Sequence, residues 1–168
     1  MKALLRELMA YNIWANRQIT SVILAMDPGS WHQPVASSFP TLYKTLLHIW
    51  DADAIWWQRL EKRPTLHIPS TWFTGDLPEL VDHLLKQEQQ WLDLFQPEGD
   101  LDPAGDFTYT NLKGDQFGQP LYQVITHIGN HGTYHRGQLV TMLRALGAGP
   151  IPQTDFVHWA RKAGTEAG

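Results

Sequence analysis

Apolar residues recur along the chain at the three- and four-residue spacing of helices, in four long blocks separated by breaks that carry Pro and Gly. The first block runs from Lys2 to about Met26, where Asp27-Pro28-Gly29 stops it. The second opens after Pro40, with Thr41 near its start, and continues to about Lys62 before Pro64. The third begins at Gly75-Asp76, where Asp76 suits an N-cap, and reaches about Gln96 ahead of Pro97. The fourth opens on Pro120, whose fixed φ suits a first helical turn, and ends near Leu146 at Gly147 and Gly149-Pro150. A short fifth helix is predicted from about Gln153 to Lys162 with Thr154 as its cap, and the terminal AGTEAG is expected to fray.

Between the third and fourth blocks the pattern changes. In FTYTNLKGDQFG, Phe107, Tyr109 and Asn111 alternate with threonines, and Lys113-Gly114-Asp115 can turn the chain, which predicts a small β-hairpin. No internal repeat or low-complexity segment interrupts the blocks. The predicted fold class is all-α: an antiparallel four-helix bundle with long connections, a small β-hairpin before helix four and a short C-terminal helix. Residues 1–168 form a single domain in this reading.

Composition narrows the partners. With 168 residues, 43% hydrophobic and 18% charged, the chain can bury a real core. A net charge of −4 supplies no basic field for a phosphate backbone, so no nucleic acid is expected. No stretch approaches the roughly 20 apolar residues of a membrane span, and MKALLRELMAYNIWANRQ is an amphipathic pattern broken by charges rather than a signal peptide. Cysteine is absent, which fits a cytoplasmic protein and means that any thiol chemistry needs a small-molecule thiol from outside. Eight Trp and eleven Tyr and Phe residues are assigned mainly to core and subunit packing, with a smaller share to a ligand pocket.

The candidate chemistry lies in HIGNHGTYHRGQ, where His127, His131 and His135 follow one another at four-residue steps. Each step advances a helix face by about 40°. Measured from His131, the apolar stripe of the fourth helix centres near 65°, with His135 at about 40° and His127 at about −40°. His131 and His135 therefore face the bundle interior and His127 its rim. Two imidazoles one turn apart can chelate one ion, but the outer pair of three is roughly 12 Å apart along the axis, against metal–nitrogen bonds of about 2 Å. A third ligand must come from another helix. His48 and His83 both sit off the centre of their apolar stripes. His83 shares its face with Glu79, Lys86, Gln87 and Gln90, whereas His48 lies on a helix that is apolar nearly all round. That favours His48 without deciding it. Gly129, Gly132 and Gly137 in the same helix imply close approach, either of a ligand or of a packed neighbour.

The segment NHGTYHRGQL, the helix end LRALG and the following TDF resemble the DinB/YfiT-like family of metal-dependent enzymes. The opening YNIWAN resembles that family's first-helix signature, and LLHIWDADAIWWQRL, Leu46 to Leu60, its second helix. The resemblance implies a four-helix bundle, usually a homodimer, holding one divalent metal ion, with His48, His131 and His135 at the ligand positions. It also implies a small-molecule substrate, because characterised relatives include thiol-dependent transferases and isomerases and hydrolases of amides or thiol conjugates. Zinc or nickel is expected first, then iron, cobalt or manganese. No strong general base is written in the sequence, so the catalytic residue is unassigned and a water activated by the metal is expected to serve. Asp51, Asp53, Tyr134 and Gln138 are candidates to orient an imidazole. Arg136 is read either as a partner for an acidic substrate or as an ion pair within the bundle or dimer. His32, His67, His83 and His158 are treated as structural or surface residues. The expected function is that of a metal-dependent hydrolase or thiol-dependent transferase. The alternatives are a non-catalytic metal-binding dimeric bundle with a stress-linked binding or regulatory role, and a bundle with no metal.

Overall fold

A computed structural model describes residues 1–96 and 99–166, without the side chains of residues 162–166. Its elements are α1 (Lys2–Leu24), α2 (Leu42–Leu60), α3 (Leu77–Asp93), β1 (Asp106–Thr110), β2 (Gln116–Pro120), α4 (Leu121–Ala145) and α5 (Phe156–Glu166). The local signals act where expected. Thr41 Oγ1 accepts from the Lys44 N–H at 3.0 Å, and Asp76 and Glu79 form a reciprocal capping box. Gly147, at φ 75°, lets Ala148 N–H reach back to Leu143 O and its own N–H to Arg144 O, which closes α4. β1 and β2 pair antiparallel with Tyr109 opposite Phe117.

Four expectations shift. Pro120 ends β2 and caps α4 rather than opening it. α3 stops at Asp93, short of Gln96, and Pro97 lies outside the described residues. α5 starts after Asp155, whose carbonyl accepts from His158 and Trp159, while Thr154 is occupied through its own carbonyl by the Tyr11 hydroxyl at 2.8 Å. Instead of fraying at AGTEAG, α5 continues through Glu166, and residues 167–168 lie outside the described residues. Two short 3-10 turns, Pro28–His32 and Pro69–Thr71, also occupy connections read as loops, each opened by a proline that presets φ.

The two ends of the core define the helix directions. One cluster joins Ile19 and Ile23 late in α1, Leu42, Leu46 and Ile49 early in α2, Leu77 to Leu84 early in α3, and Leu139 to Leu143 late in α4. The other joins Leu5 and Met9, Trp56 and Trp57, Trp91, and Leu121 to Ile128. Thus α1 and α4 run one way and α2 and α3 the other. α1 and α2 each pack against both α3 and α4. Because α2 and α3 are parallel neighbours, the chain must return along the bundle between them, which is why that connection is long. The Pro69–Thr71 turn rests on α2 in this connection, tied by Ser70 N–H to Asp51 Oδ1 at 2.8 Å.

At mid-height the four helices share a polar knot. Asn12 and Asn16 of α1 each donate through Nδ2 to Glu88 Oε1 of α3, and each accepts through Oδ1 from Arg136 Nη1 of α4. Arg136 Nη2 donates to Thr133 Oγ1 at 2.8 Å, and Asp53 of α2 completes the set of buried charges. Arg136 is therefore a structural cation inside the bundle. Asp53, expected on a solvated face or behind an imidazole, is 1% exposed and faces Glu88 and Arg136. Two carboxyl groups and one guanidinium are neutral together only with one added proton, and buried net charge is costly. Accordingly burial, then Glu88, holds Asp53 well above the usual carboxylate range against the pull of Arg136. Burial likewise pushes Glu88 up to about 7, opposed first by Arg136 and then by the Asn16 hydrogen bond.

The helix-four glycines now separate. A methyl group at Gly129 would strike Leu8 of α1, and one at Gly132 would come within 2.5 Å of Asn12 Oδ1, whereas one at Gly137 would meet nothing within 4 Å. The first two are packing glycines. Gly137→Ala is expected to stabilise the chain by roughly 0.5–1 kcal/mol in urea unfolding. Gly132→Ala is expected to cost more than about 1 kcal/mol by displacing Asn12 from Arg136, and equal effects at the two positions would contradict this assignment.

A carboxyl group whose folded pKa is raised holds its proton more tightly in the folded chain. Glu88 therefore contributes stability below its ordinary 4.5 and loses it as pH rises through about 7. Glu88→Gln keeps an oxygen for both asparagines. Its stability relative to the unsubstituted chain should rise between about pH 5 and pH 8, on the order of 1–3 kcal/mol. A pH-independent difference in paired denaturation curves would contradict the raised pKa.

Candidate metal centre

The direct packing of α4 on α2 decides which histidines meet. His48 Nε2 and His131 Nε2 stand 3.1 Å apart. The ring centroids of His48, His131 and His135 are separated by 5.0, 4.6 and 4.4 Å, and one ligand nitrogen from each lies within 4.8 Å of the others. His83 cannot join them, because α3 lies across the bundle from α4. Its ring instead stacks on Trp50 at 4.9 Å with a 13° interplanar angle.

Two nitrogens bound to one tetrahedral ion at 2.0–2.1 Å stand about 3.3 Å apart, close to the His48–His131 separation. The protonation states suit a ligand role as well. Burial, then the neighbouring His135, His48 and His127, pushes His131 down to about 3. Burial, then His135, pushes His48 down to about 4. Burial also lowers His135, against the hydrogen bond it donates to Gln138 Oε1. All three rings are neutral at pH 7 and keep a nitrogen lone pair. His131 Nδ1 is buried without a hydrogen-bond partner, while its Nε2 faces His48 Nε2. The three residues therefore fit a single divalent ion.

The surroundings orient two of the rings. Gln138 Nε2 donates to Ser38 Oγ at 3.0 Å, which turns Gln138 Oε1 toward His135 Nδ1 at 2.8 Å. Nδ1 must then carry the proton, leaving Nε2 free to ligate. Phe39 stacks on His48 at 4.0 Å with a 22° interplanar angle and covers that ring. Tyr134 is 61% exposed and meets His135 edge-on at 4.9 Å. Asp51 is held by Ser70 and does not bond to a ring. His127 is exposed at the rim, 5.8 Å from His131 and 5.7 Å from Trp56. His32 lies against Tyr43 and His158 against Trp14, while His67 bonds Gln58 through its backbone. Beside the centre runs a groove of about 360 Å3, lined by Ser37, Tyr134, Gly137, Gln138, Thr141 and Met142 among others. Ser38 and Phe39 carried no periodic signal because they sit in a connection. Gln138 was legible from its helical angle.

The fold is thus a four-helix bundle whose second and fourth helices bring three imidazoles close enough to hold one metal ion. The DinB family model matches residues 1–167, and the chain belongs to the DinB family. It is similar to protein DinB of Bacillus subtilis (strain 168), at 26% identity over 158 residues that cover 89% of this chain and 90% of that protein.

The lowered imidazole pKa values have a direct readout. In metal-free protein, His48 and His131 should remain neutral at pH 5 by 15N NMR of the rings, where an ordinary imidazole near 6.5 is protonated. Because the unfolded chain then binds protons that the folded rings refuse, these two groups lower stability as pH falls from about 6.5 toward 4. A midpoint near 6.5 for either ring would contradict the burial argument.

Proposed function

We propose that this chain is a divalent-metal-dependent enzyme that acts on a small molecule, as a hydrolase or a thiol-dependent transferase, and works as a cytoplasmic homodimer. The observation that carries the reading is the convergence of three neutral imidazole nitrogens beside an open groove. His48, His131 and His135 hold the ion, with zinc or nickel favoured by the all-imidazole set over iron, cobalt or manganese. Bound there, the ion supplies Lewis-acid polarisation of a substrate oxygen or sulfur. The chain's own groups do the rest. Gln138, held by Ser38, keeps the proton on His135 Nδ1. Phe39 excludes water from one face of His48. Tyr134, exposed at the lip of the groove, is placed to touch a bound molecule. Because the chain has no cysteine, a thiol reactant must be a separate low-molecular-weight partner.

A second reading, a non-catalytic metal-binding dimer with a stress-linked binding or regulatory role, draws support from the two helix-two aspartates. Asp51 is committed to Ser70 and Asp53 to the core, so neither stands by the imidazoles as a general base. Among the described residues no helix is long and apolar enough to cross a membrane.

Protein purified without chelator should carry about one divalent ion per chain by elemental analysis. His135→Ala should abolish the binding and His83→Ala should leave it intact, while Gln138→Ala should weaken affinity roughly 10- to 100-fold. Retained stoichiometry in His135→Ala would overturn the ligand set. A screen of amide, ester and thiol-conjugate cleavage, with and without added small thiols, separates the two readings. Turnover that His135→Ala removes supports the enzyme, and silence of fully loaded protein across the screen supports the binding role.

A further inference from the structure

A second cleft, about 490 Å3 in volume, opens where the end of α2 meets the hairpin, with Arg59, Lys62, Arg63, Thr108, Tyr109 and Thr110 in its lining. The chain carries a net charge of −4, yet this lining has three cations and no carboxylate. Arg63 is neutralised by Glu61 at 2.6 Å. Lys62 makes no ion pair among the described residues and sits at φ 55° just past the end of α2.

Arg59 is the centre of the cleft. Its guanidinium carbon lies 4.5 Å from the Trp56 ring centroid and 5.0 Å from that of Tyr109, so two aromatic rings hold it in place. It makes no ion pair or side-chain hydrogen bond among the described residues, and its Nε is buried without a partner. Burial holds its pKa below the usual arginine value, with Tyr109 opposing, which is the mark of a desolvated charge lacking a counter-ion. Thr108 and Thr110 flank Tyr109 along the strand edge that borders the same space. A planar guanidinium held between two rings, without a counter-ion and with Lys62 in the same lining, matches a carboxylate or phosphate.

A run of packed rings lies between the cleft and the histidine cluster. Trp56 lies 4.7 Å from Tyr109 and 5.7 Å from His127, whose ring is 5.8 Å from His131. Along α2, Arg59 is roughly 16 Å from His48 at the rise of an α-helix. We propose that the Arg59 cleft is an anion site that binds the carboxylate or phosphate end of an elongated small molecule, with Arg59 as the forked donor and Lys62 as the second cation. That the other end of this molecule reaches His48, His131 and His135 rests on the metal-dependent reading above; the anion site itself does not.

Titration of the full chain with inorganic phosphate and, separately, with succinate tests the site by 15N NMR at constant ionic strength. Saturable shifts of the Arg59 Nε–H and of the Thr108 and Tyr109 amides are expected, with sodium chloride alone producing none. The probe that binds more tightly identifies the anionic group preferred. Arg59→Gln should weaken binding at least tenfold. Lys62→Gln, at an exposed position that leaves folding intact, should weaken it several-fold. His135→Ala should leave it unchanged, so failure of the metal site and failure of the anion site are read separately. Absence of saturable shifts with both probes, or undiminished binding in Arg59→Gln and Lys62→Gln, would overturn the proposal.

Discussion

The contact between α2 and α4 is the constraint on which the rest depends. It sets His48 Nε2 and His131 Nε2 3.1 Å apart and brings His135 to the same point. An imidazole reaches only a few ångströms from its helix, so a small slip of either helix would separate the nitrogens beyond joint ligation. The bundle must therefore hold its register tightly at mid-height, and the buried polar knot lies there. Arg136 follows His135 directly in sequence and is clamped by Asn12, Asn16 and Thr133, while Glu88 and Asp53 bring in the two remaining helices. An apolar core of equal volume would cost less to bury but would tolerate sliding. The donors and acceptors that Asn12, Asn16, Glu88, Arg136 and Thr133 exchange favour one alignment, even though Asp53 Oδ2 and Glu88 Oε2 are buried without a partner.

The knot and the histidine cluster occupy opposite sides of the same stretch of α4. Glycine at 129 and 132 lets α1 approach closely on the knot side, and the face bearing His131, His135 and Gln138 is left to α2 and to the groove. Shielding from water then lowers the proton affinity of the rings, so that the cluster arrives neutral and ready for a cation. Packing, electrostatics and candidate chemistry thus follow from one helix alternating small and polar residues on two faces.

Much of this was legible in the sequence, and what was not has physical causes. Helix spacing, the caps at Thr41 and Asp76, and the alternation around Phe107 and Tyr109 gave the bundle and its hairpin, because those signals are local. The 3-10 turns were too short to show a period. Helix-face counting put His131 and His135 inward, and Gln138 near them, from one helix alone. Choosing His48 over His83 required knowing that α2, not α3, is the neighbour of α4, which is a property of the tertiary arrangement that no helical wheel contains; the family resemblance supplied it. Asn12 and Asn16, one turn apart in a helix interior that disfavours asparagine, were a signal for the knot that went unread. Glu88 had no such mark, since a glutamate among Gln87, Gln89 and Gln90 reads as solvated until α1 is packed against it.

The central claim is that one ion is held jointly by imidazoles from α2 and α4, and X-ray absorption spectroscopy of zinc-loaded protein addresses it most directly. The account predicts a first shell with three imidazole nitrogens at about 2.0–2.1 Å and their outer-ring scattering, and loss of that shell in His48→Ala. A shell that keeps its full imidazole count in His48→Ala, or one built of oxygen alone, would contradict it.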